Sequence, residues 1–316
     1  MQVSGQKIVV LGTGGTIAGT SATAGDNIGY IAAQVGVEQL LGAVPGFQAF
    51  VHGTLVTEQV AQIDSKDMDV DVWRALALRC IHHLADPEVR GLVITHGTDT
   101  LEETAWFLQQ VVDTCKPVVL TCAMRPATAL APDGPQNLLD ALAVAQMPGA
   151  TGVLVVAAGE IHDALHVQKV HPYRVQAFSS GDAGPVGWVE EGQVRLVQNW
   201  PTALAQKALN AIENIAKAPN WPLVEIVMSH AGASGTLVDA LVREGVRGIV
   251  VACTGNGTIH QVLEAALLRA QAAGVRVVRS TRCPEGQVIP KPGDQLPDAR
   301  GLSPVKARIS LVLDLL

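Results

Sequence analysis

Two short stretches of this sequence combine glycine with hydroxyl and acidic side chains at spacings that could do chemistry. The first is Gly12-Thr13-Gly14-Gly15-Thr16-Ile17-Ala18-Gly19, directly after a β-branched run. Its glycines let the backbone approach a ligand closely and aim N–H groups at an anion. The spacing departs from the dinucleotide fingerprint GxGxxG, because Gly12, Gly14 and Gly15 are followed by Thr16 and glycine returns only at Gly19. Taken alone, the stretch also fits a plain strand-to-helix turn. The second is Thr95-His96-Gly97-Thr98-Asp99-Thr100, with Leu101-Glu102-Glu103 opening a helix behind it. Thr100 and Glu103 fit a capping box, in which each satisfies a free N–H of the other's turn. Thr98 and Asp99 precede that cap and need another explanation. A threonine hydroxyl is a poor nucleophile until a base takes its proton, so either turn needs a partner.

The elements that must position these turns alternate along the chain. Lys7–Thr13, Gly91–Thr95, Pro117–Cys122 and Gly152–Ala158 are short, nearly continuous apolar runs, as expected for strands of a parallel sheet covered on both faces. Helix patterns lie between them at Met68–Leu84, Leu101–Val112 and Pro135–Gln146. This rhythm predicts a doubly wound α/β domain over 1–198, closing on a hairpin at Gly187–Val189 and Gln193–Val197. In an open sheet of this kind ligands sit beyond the carboxyl ends of the strands, where both threonine turns fall. Residues 199–221, bracketed by Trp200-Pro201 and Trp221-Pro222, read as a connecting segment. Alternation resumes over 222–316, with strands at Val224–Ser229, Gly248–Cys253 and Val275–Ser280 and helices at Gly235–Glu244 and Gln261–Ala273. That predicts a second, smaller α/β domain.

Composition excludes several classes. A net charge of −7 without a long basic run argues against a nucleic-acid partner. No apolar stretch approaches the ~18 residues that cross a bilayer, and Met1 to Lys7 is polar rather than an apolar leader core. The five cysteines (Cys80, Cys115, Cys122, Cys253, Cys283) are scattered without CxxC spacing, which suits reduced thiols. The expectation is a cytoplasmic protein, or a periplasmic one if a leader has been removed. His96, His82-His83, His162, His166 and His171 lack ligand spacing, so neither metal nor organic cofactor is expected.

GTGGTIAG, VGVEQLL, ITHGTDTLEETAWFL, AMRPATALAPDGPQNL and the later GNG resemble the bacterial-type L-asparaginases in order and spacing, from about Lys7 to the C-terminus. The resemblance implies a hydrolase acting on a linear amide. It implies conversion of L-asparagine to L-aspartate and ammonia in a homotetramer built as a dimer of dimers. By position, Thr16 matches the family's nucleophile, Tyr30 the tyrosine of its mobile loop, and Thr98 and Asp99 its second threonine and aspartate. Lys169 matches the lysine completing that second triad, and Ser65 the serine that holds the substrate carboxylate. Asn256 matches a residue lent by the neighbouring subunit. Lysine acts as a base only when neutral, a state that burial favours and a neighbouring Asp99 opposes. Either Thr16 attacks to give an acyl-enzyme, or Thr98 activates water through Lys169; the resemblance favours the first. The Gly14–Thr16 turn is the expected source of oxyanion donors.

Three departures bear on these expectations. Lys66 stands where relatives carry a glutamine or glutamate that helps bind the α-ammonium, and a cation there repels that group unless it points away. Asp294 is only a loose match for a late acidic residue supplied across subunits. Cys115 aligns with half of a disulfide of exported relatives, without its partner. The alternatives are a dual glutaminase-asparaginase and, from another class, a catalytically weak amino-acid-binding homologue; a nucleotide-binding protein ranks behind both.

Overall fold

The computed structural model describes residues 6–23, 25–113, 115–202 and 212–316. The chain divides into two compact units, Met1–Ala216 and Lys217–Leu316. The segment expected to connect them, 199–221, therefore falls on both sides of the division, and its residues 203–211 lie outside the described ones. Before them, Pro201 O accepts from Thr151 Oγ1 at 3.0 Å and Thr202 O from Gln109 Nε2 at 3.2 Å. After them, Ile215 O accepts from Arg74 Nε at 3.1 Å. Those bonds hold both flanks of the segment against the first unit.

The first unit runs β1 (Lys7–Gly14), α1 (Val37–Gly42), α2 (Phe47–Phe50), β2 (Thr54–Ile63), α3 (Val70–Leu84), β3 (Val89–Thr95), α4 (Leu101–Val111), β4 (Pro117–Thr121), α5 (Gly134–Gln146) and β5 (Gly152–Ala157). It closes with β6 (Glu160–Asp163), the two-residue strands β7 (Gln168–Lys169) and β8 (Phe178–Ser179), and the hairpin β9 (Gly187–Glu190) and β10 (Gln193–Leu196). Eight strands form one sheet in the order β10-β9-β6-β5-β4-β3-β1-β2. The run from β5 to β2 is parallel, while β6, β9 and β10 pair antiparallel. The parallel strands are buried on both faces: Val9, Val10 and Leu11 of β1 and Leu92, Val93 and Ile94 of β3 are fully enclosed. Helix α3 starts where the Asp69 carboxylate accepts the N–H groups of Asp71 and Val72 at 3.0 and 2.9 Å. It packs on α4 through the stacked rings of Trp73 and Phe107, centroids 5.0 Å apart.

Strand order reverses at β1, which has β2 on one side and β3 on the other. That is the topological switch point, where the loops leaving neighbouring strands diverge and open a crevice. Three carboxyl ends meet there: β2 leads to Ser65, β1 to Thr16 and β3 to Thr98 and Asp99.

The second unit is a three-stranded parallel sheet, β11 (Val224–Met228), β12 (Gly248–Cys253) and β13 (Arg276–Thr281), in that spatial order. Side chains of β12 alternate as a strand requires. Ile249, Val251 and Cys253 pack toward α6 (Thr236–Arg243) and α7 (Gln261–Ala272), whereas Val250 packs against α8 (Pro304–Leu315) on the opposite face.

Candidate active site

The first turn is made by two glycines that no other residue could replace. Gly14 and Gly15 have φ of +103° and +80°, a region that costs side chains with a Cβ. Space is as decisive as conformation. A Cβ on Gly14 would sit 2.5 Å from the Ile63 carbonyl oxygen, and one on Gly15 would run into the backbone of Gly97. The Thr16 turn and the Thr98 turn thus touch backbone to backbone. Thr13 Oγ1 reinforces the contact by donating to Thr95 O at 2.9 Å. The Gly15 N–H donates to Ile63 O at 2.9 Å, which removes it as an oxyanion donor and narrows the expectation for this turn. Among the described residues no acceptor is found for the N–H groups of Thr16 and Thr98.

Thr16 is buried, and its Oγ1 lies 2.7 Å from the Tyr30 hydroxyl, either oxygen able to donate. Tyr30 sits on a returning loop that pairs Thr20 with Ile31 through two backbone bonds of 3.0 and 2.9 Å. Its ring lies against Gly19, where a Cβ would come within 2.9 Å of Cδ2. Asp26 Oδ1 shapes the loop by accepting the N–H groups of Ile28 and Gly29, both at 2.9 Å. Those two donors hold its carboxyl below the usual carboxylate range. A strap ties the loop's outer limb down: Ser21 N donates to Thr128 Oγ1 at 2.9 Å and Ala127 N to Gly19 O at 3.0 Å.

The second turn is fixed from below by a buried histidine. His96 Nδ1 lies 2.7 Å from Gly97 O and must carry the proton there, so Nε2 accepts from Thr104 Oγ1 at 2.9 Å. Thr104 Oγ1 in turn accepts from Trp73 Nε1 at 2.9 Å. Burial pushes the imidazole down to about 4, so it stays neutral and the relay keeps one direction. Ser65, also buried, accepts the Asp99 N–H on its Oγ at 3.2 Å, and its carbonyl accepts from Thr100 Oγ1 at 2.8 Å. Thr100 occupies the N-cap position of α4, but its side chain makes no cap bond. The expected capping box is therefore not formed, because the hydroxyl is drawn to Ser65 instead.

Lys169 reaches this turn from β7. Its Nζ donates to Thr98 Oγ1 at 2.8 Å and to Asp99 Oδ1 at 2.6 Å. The lysine is mostly enclosed, with 17 % of its side chain exposed, while Asp99 remains 53 % exposed and keeps a face toward solvent. Lys66 does point away: its ammonium lies 3.1 Å from Asp64 and 2.8 Å from Asp67, at the surface. A flanking pair of carboxylates was the signal for that, readable in Asp64-Ser65-Lys66-Asp67.

The late residues lie in the second unit. Asn256, on the exposed loop after β12, exchanges two bonds with Ile289: Nδ2 donates to its carbonyl at 3.1 Å and Oδ1 accepts its N–H at 2.6 Å. Asp294 is turned into its own unit, 2.7 Å from Arg279 NH2, which together with the Lys291 N–H holds its carboxyl below the usual range. The tentative match of Asp294 to a late acid supplied across subunits thus falls on a carboxylate already paired within its own unit. All five cysteines are free thiols, Cys115 exposed among them. A cavity of about 290 Å³ opens beside Ile17, but its walls (Leu40, Val44, Arg125, Pro132) carry none of the threonine chemistry.

Comparison with known proteins places the chain in a family. Residues 7–202 match the family described as Asparaginase, N-terminal, and residues 223–315 the Glutaminase/Asparaginase C-terminal domain. L-asparaginase 2 of Bacillus subtilis is 37 % identical over 98 % of this chain and 82 % of its own length. A glutaminase-asparaginase of Pseudomonas fluorescens biotype A is 38 % identical over 96 % and 84 % respectively. The crystal structure of a probable cytoplasmic L-asparaginase from Campylobacter jejuni superposes with a TM-score of 0.91 at 38 % identity, covering 98 % of this chain and 95 % of that one. Both domains are matched in sequence order, and relatives align along nearly the whole length: the chain belongs to the asparaginase family.

Proposed function

We propose that this protein hydrolyses the side-chain amide of L-asparagine to L-aspartate and ammonia through an ester on Thr16. The observation that carries the reading is the buried Thr16 hydroxyl, 2.7 Å from Tyr30, in a turn pressed against the one that bears Thr98, Asp99 and Lys169. The substrate α-carboxylate would be held at Ser65, and its α-ammonium by the exposed face of Asp99. Thr16 Oγ adds to the amide carbon while its proton passes to the Tyr30 oxygen and the phenol's own proton passes on to the amide nitrogen. The N–H groups of Thr16 and Thr98 are the donors left to meet the oxyanion; one such donor contributes ~10²–10³ in rate. The tetrahedral adduct collapses, the C–N bond breaks and the nitrogen leaves as ammonia with the proton relayed from Thr16 through Tyr30. Water then adds to the ester, restoring Thr16 and releasing aspartate.

Support for the remaining parts comes from the resemblance. The assembly is a homotetramer, with Asn256 completing the partner's site. The free thiols suit work in the cytoplasm. A dual glutaminase-asparaginase is the second reading, favoured by the Pseudomonas relative of that name, since one methylene discriminates by only ~1–3 kcal/mol. The position of Lys66, neutralised by two carboxylates, removes the reason to expect a silent binding protein. The deciding experiment is ammonia release from both amides by wild type and Thr16→Ala. Loss of at least roughly a thousandfold in the variant, with aspartate still bound, is the expected result; substantial turnover by it would sink the nucleophile.

A further inference from the structure

We propose that Glu102 is the positioning residue that sets Lys169 in the site, an inference that rests on the role given to Lys169 above. Lys169 lies outside the eight-stranded sheet, on the two-residue strand β7 paired with Phe178–Ser179 of β8. Its long stem carries up to about 2 kcal/mol of rotamer entropy, so the ammonium stays between two oxygens only if its backbone is fixed relative to them. Those oxygens, Thr98 Oγ1 and Asp99 Oδ1, lie at the mouth of α4. Glu102 lies in the first turn of the same helix, and its Oε1 accepts the backbone N–H of Lys169 at 3.1 Å.

Residues 98–102 therefore hold Lys169 at both ends: two oxygens take the ammonium and a third takes the peptide N–H. The far side of the ribbon is fixed separately, because Ser180 Oγ, next to β8, bonds buried His162 Nδ1 of β6 at 2.9 Å. Without the Glu102 bond the ribbon keeps that anchor but loses this bond to α4, and the ammonium can drift from Thr98. Misplacement by about 1 Å can cost ~10² in rate. A carboxylate in a first helical turn is also favoured by the helix dipole, which is the ordinary reason for a glutamate there. That reason predicts no loss of turnover when the charge goes.

The test is steady-state ammonia release with thermal melts on the full-length Glu102→Met, Glu102→Gln and Lys169→Met variants. Methionine keeps the length and helix preference but has no oxygen acceptor; glutamine keeps the acceptor without the charge. The expected result is a kcat at least about tenfold lower in E102M, with KM within roughly threefold and an unchanged melt, and recovery by E102Q to within roughly threefold of wild type. Should E102M fail to fold, E102A is held to the same criterion. If the acceptor-less variant keeps kcat within twofold while K169M is inactive, Glu102 does not position Lys169 although the reading of Lys169 stands. If E102Q is as poor as E102M, charge and not the hydrogen bond is at work, and the proposal is overturned. Full activity of K169M would remove the role of Lys169 and this inference with it.

Discussion

Among the described residues the Thr16 hydroxyl has a single side-chain partner, the Tyr30 phenol, and that phenol has no carboxylate or amine bonded to it. Proton transfer at Thr16 therefore depends on this one bond, and Tyr30→Phe should lower kcat by about 10²-fold or more in the ammonia assay, within the usual range for a lost general acid–base group. A loss below threefold would mean that water substitutes for the phenol. Thr98, Asp99 and Lys169 behave differently, because one ammonium bridges the other two. Removing either bond frees Lys169 and wastes the second, so Thr98→Val with Lys169→Met should cost little more than the worse single variant. Multiplying losses would show independent contributions. Part of this was legible in residue type and order, since Thr16, Thr98 and Asp99 each fall in a turn after a readable apolar strand, whereas Ser65 follows a strand that was not read and came from the resemblance. Lys169 too was found only through the resemblance. It lies 71 residues from Thr98, and no local pattern distinguishes it from a solvated lysine. Glu102 went unread as a site residue because an acid in a first helical turn already has an ordinary explanation.

At the scale of elements, the site exists because two strand-to-helix turns fit without side chains between them. Gly15→Ala should fail on both conformation and space, since its methyl meets the Gly97 backbone and neither partner can move without breaking a sheet strand. We expect insoluble or inactive protein, destabilised by more than about 3 kcal/mol; a soluble, active G15A would disprove the close fit. Helix α5 carries a second testable cost. Burial pushes the Asp140 carboxyl up to about 6, opposed in part by the Gln136 amide 2.8 Å away. A carboxyl raised in the folded state holds its proton longer than the unfolded chain does, so stability is lost as pH rises from about 4 to 6. Asp140→Asn keeps an acceptor for Gln136 and should melt higher than wild type at pH 7.5, by up to about 3 kcal/mol, with the gap closing near pH 4. A gap independent of pH would refute the assignment. The parallel strands and their helices were readable because each is a continuous apolar run or a periodic stripe. Strand β2 was not, since it sits at the sheet edge and carries Thr54, Thr57, Glu58, Gln59 and Gln62. An edge strand needs no second buried face, so its hydrophobic signal is diluted. The capping box was misread for a tertiary reason: Ser65, 35 residues away, takes the hydroxyl that the local pattern assigned to the helix.

For the whole molecule, the remaining question is whether one chain owns a complete site. Thr16, Tyr30, Ser65, Thr98, Asp99 and Lys169 all belong to the first unit, whereas Asn256 belongs to the second. The Asn256 amide clasps Ile289, so a lesion there also loosens its own loop, and the impairment of one variant cannot say whose site is damaged. Pairing two lesions can. If Asn256 serves the partner's Thr16 across a twofold axis, a hybrid dimer of Thr16→Ala and Asn256→Ala subunits holds one site with both lesions and one with neither. If Asn256 serves its own chain, the same hybrid holds one site of each damaged kind. Equal mixing makes about half of the dimers hybrid, with half of their sites intact, so the cross-subunit arrangement should restore about a quarter of wild-type activity. The experiment is to unfold both variants, mix and refold them together, and measure ammonia release against each variant refolded alone. Asn256→Ala must be clearly impaired by itself, and differently tagged subunits must co-purify to show exchange. With both conditions met, activity no higher than the mean of the two parents would mean that each chain completes its own site.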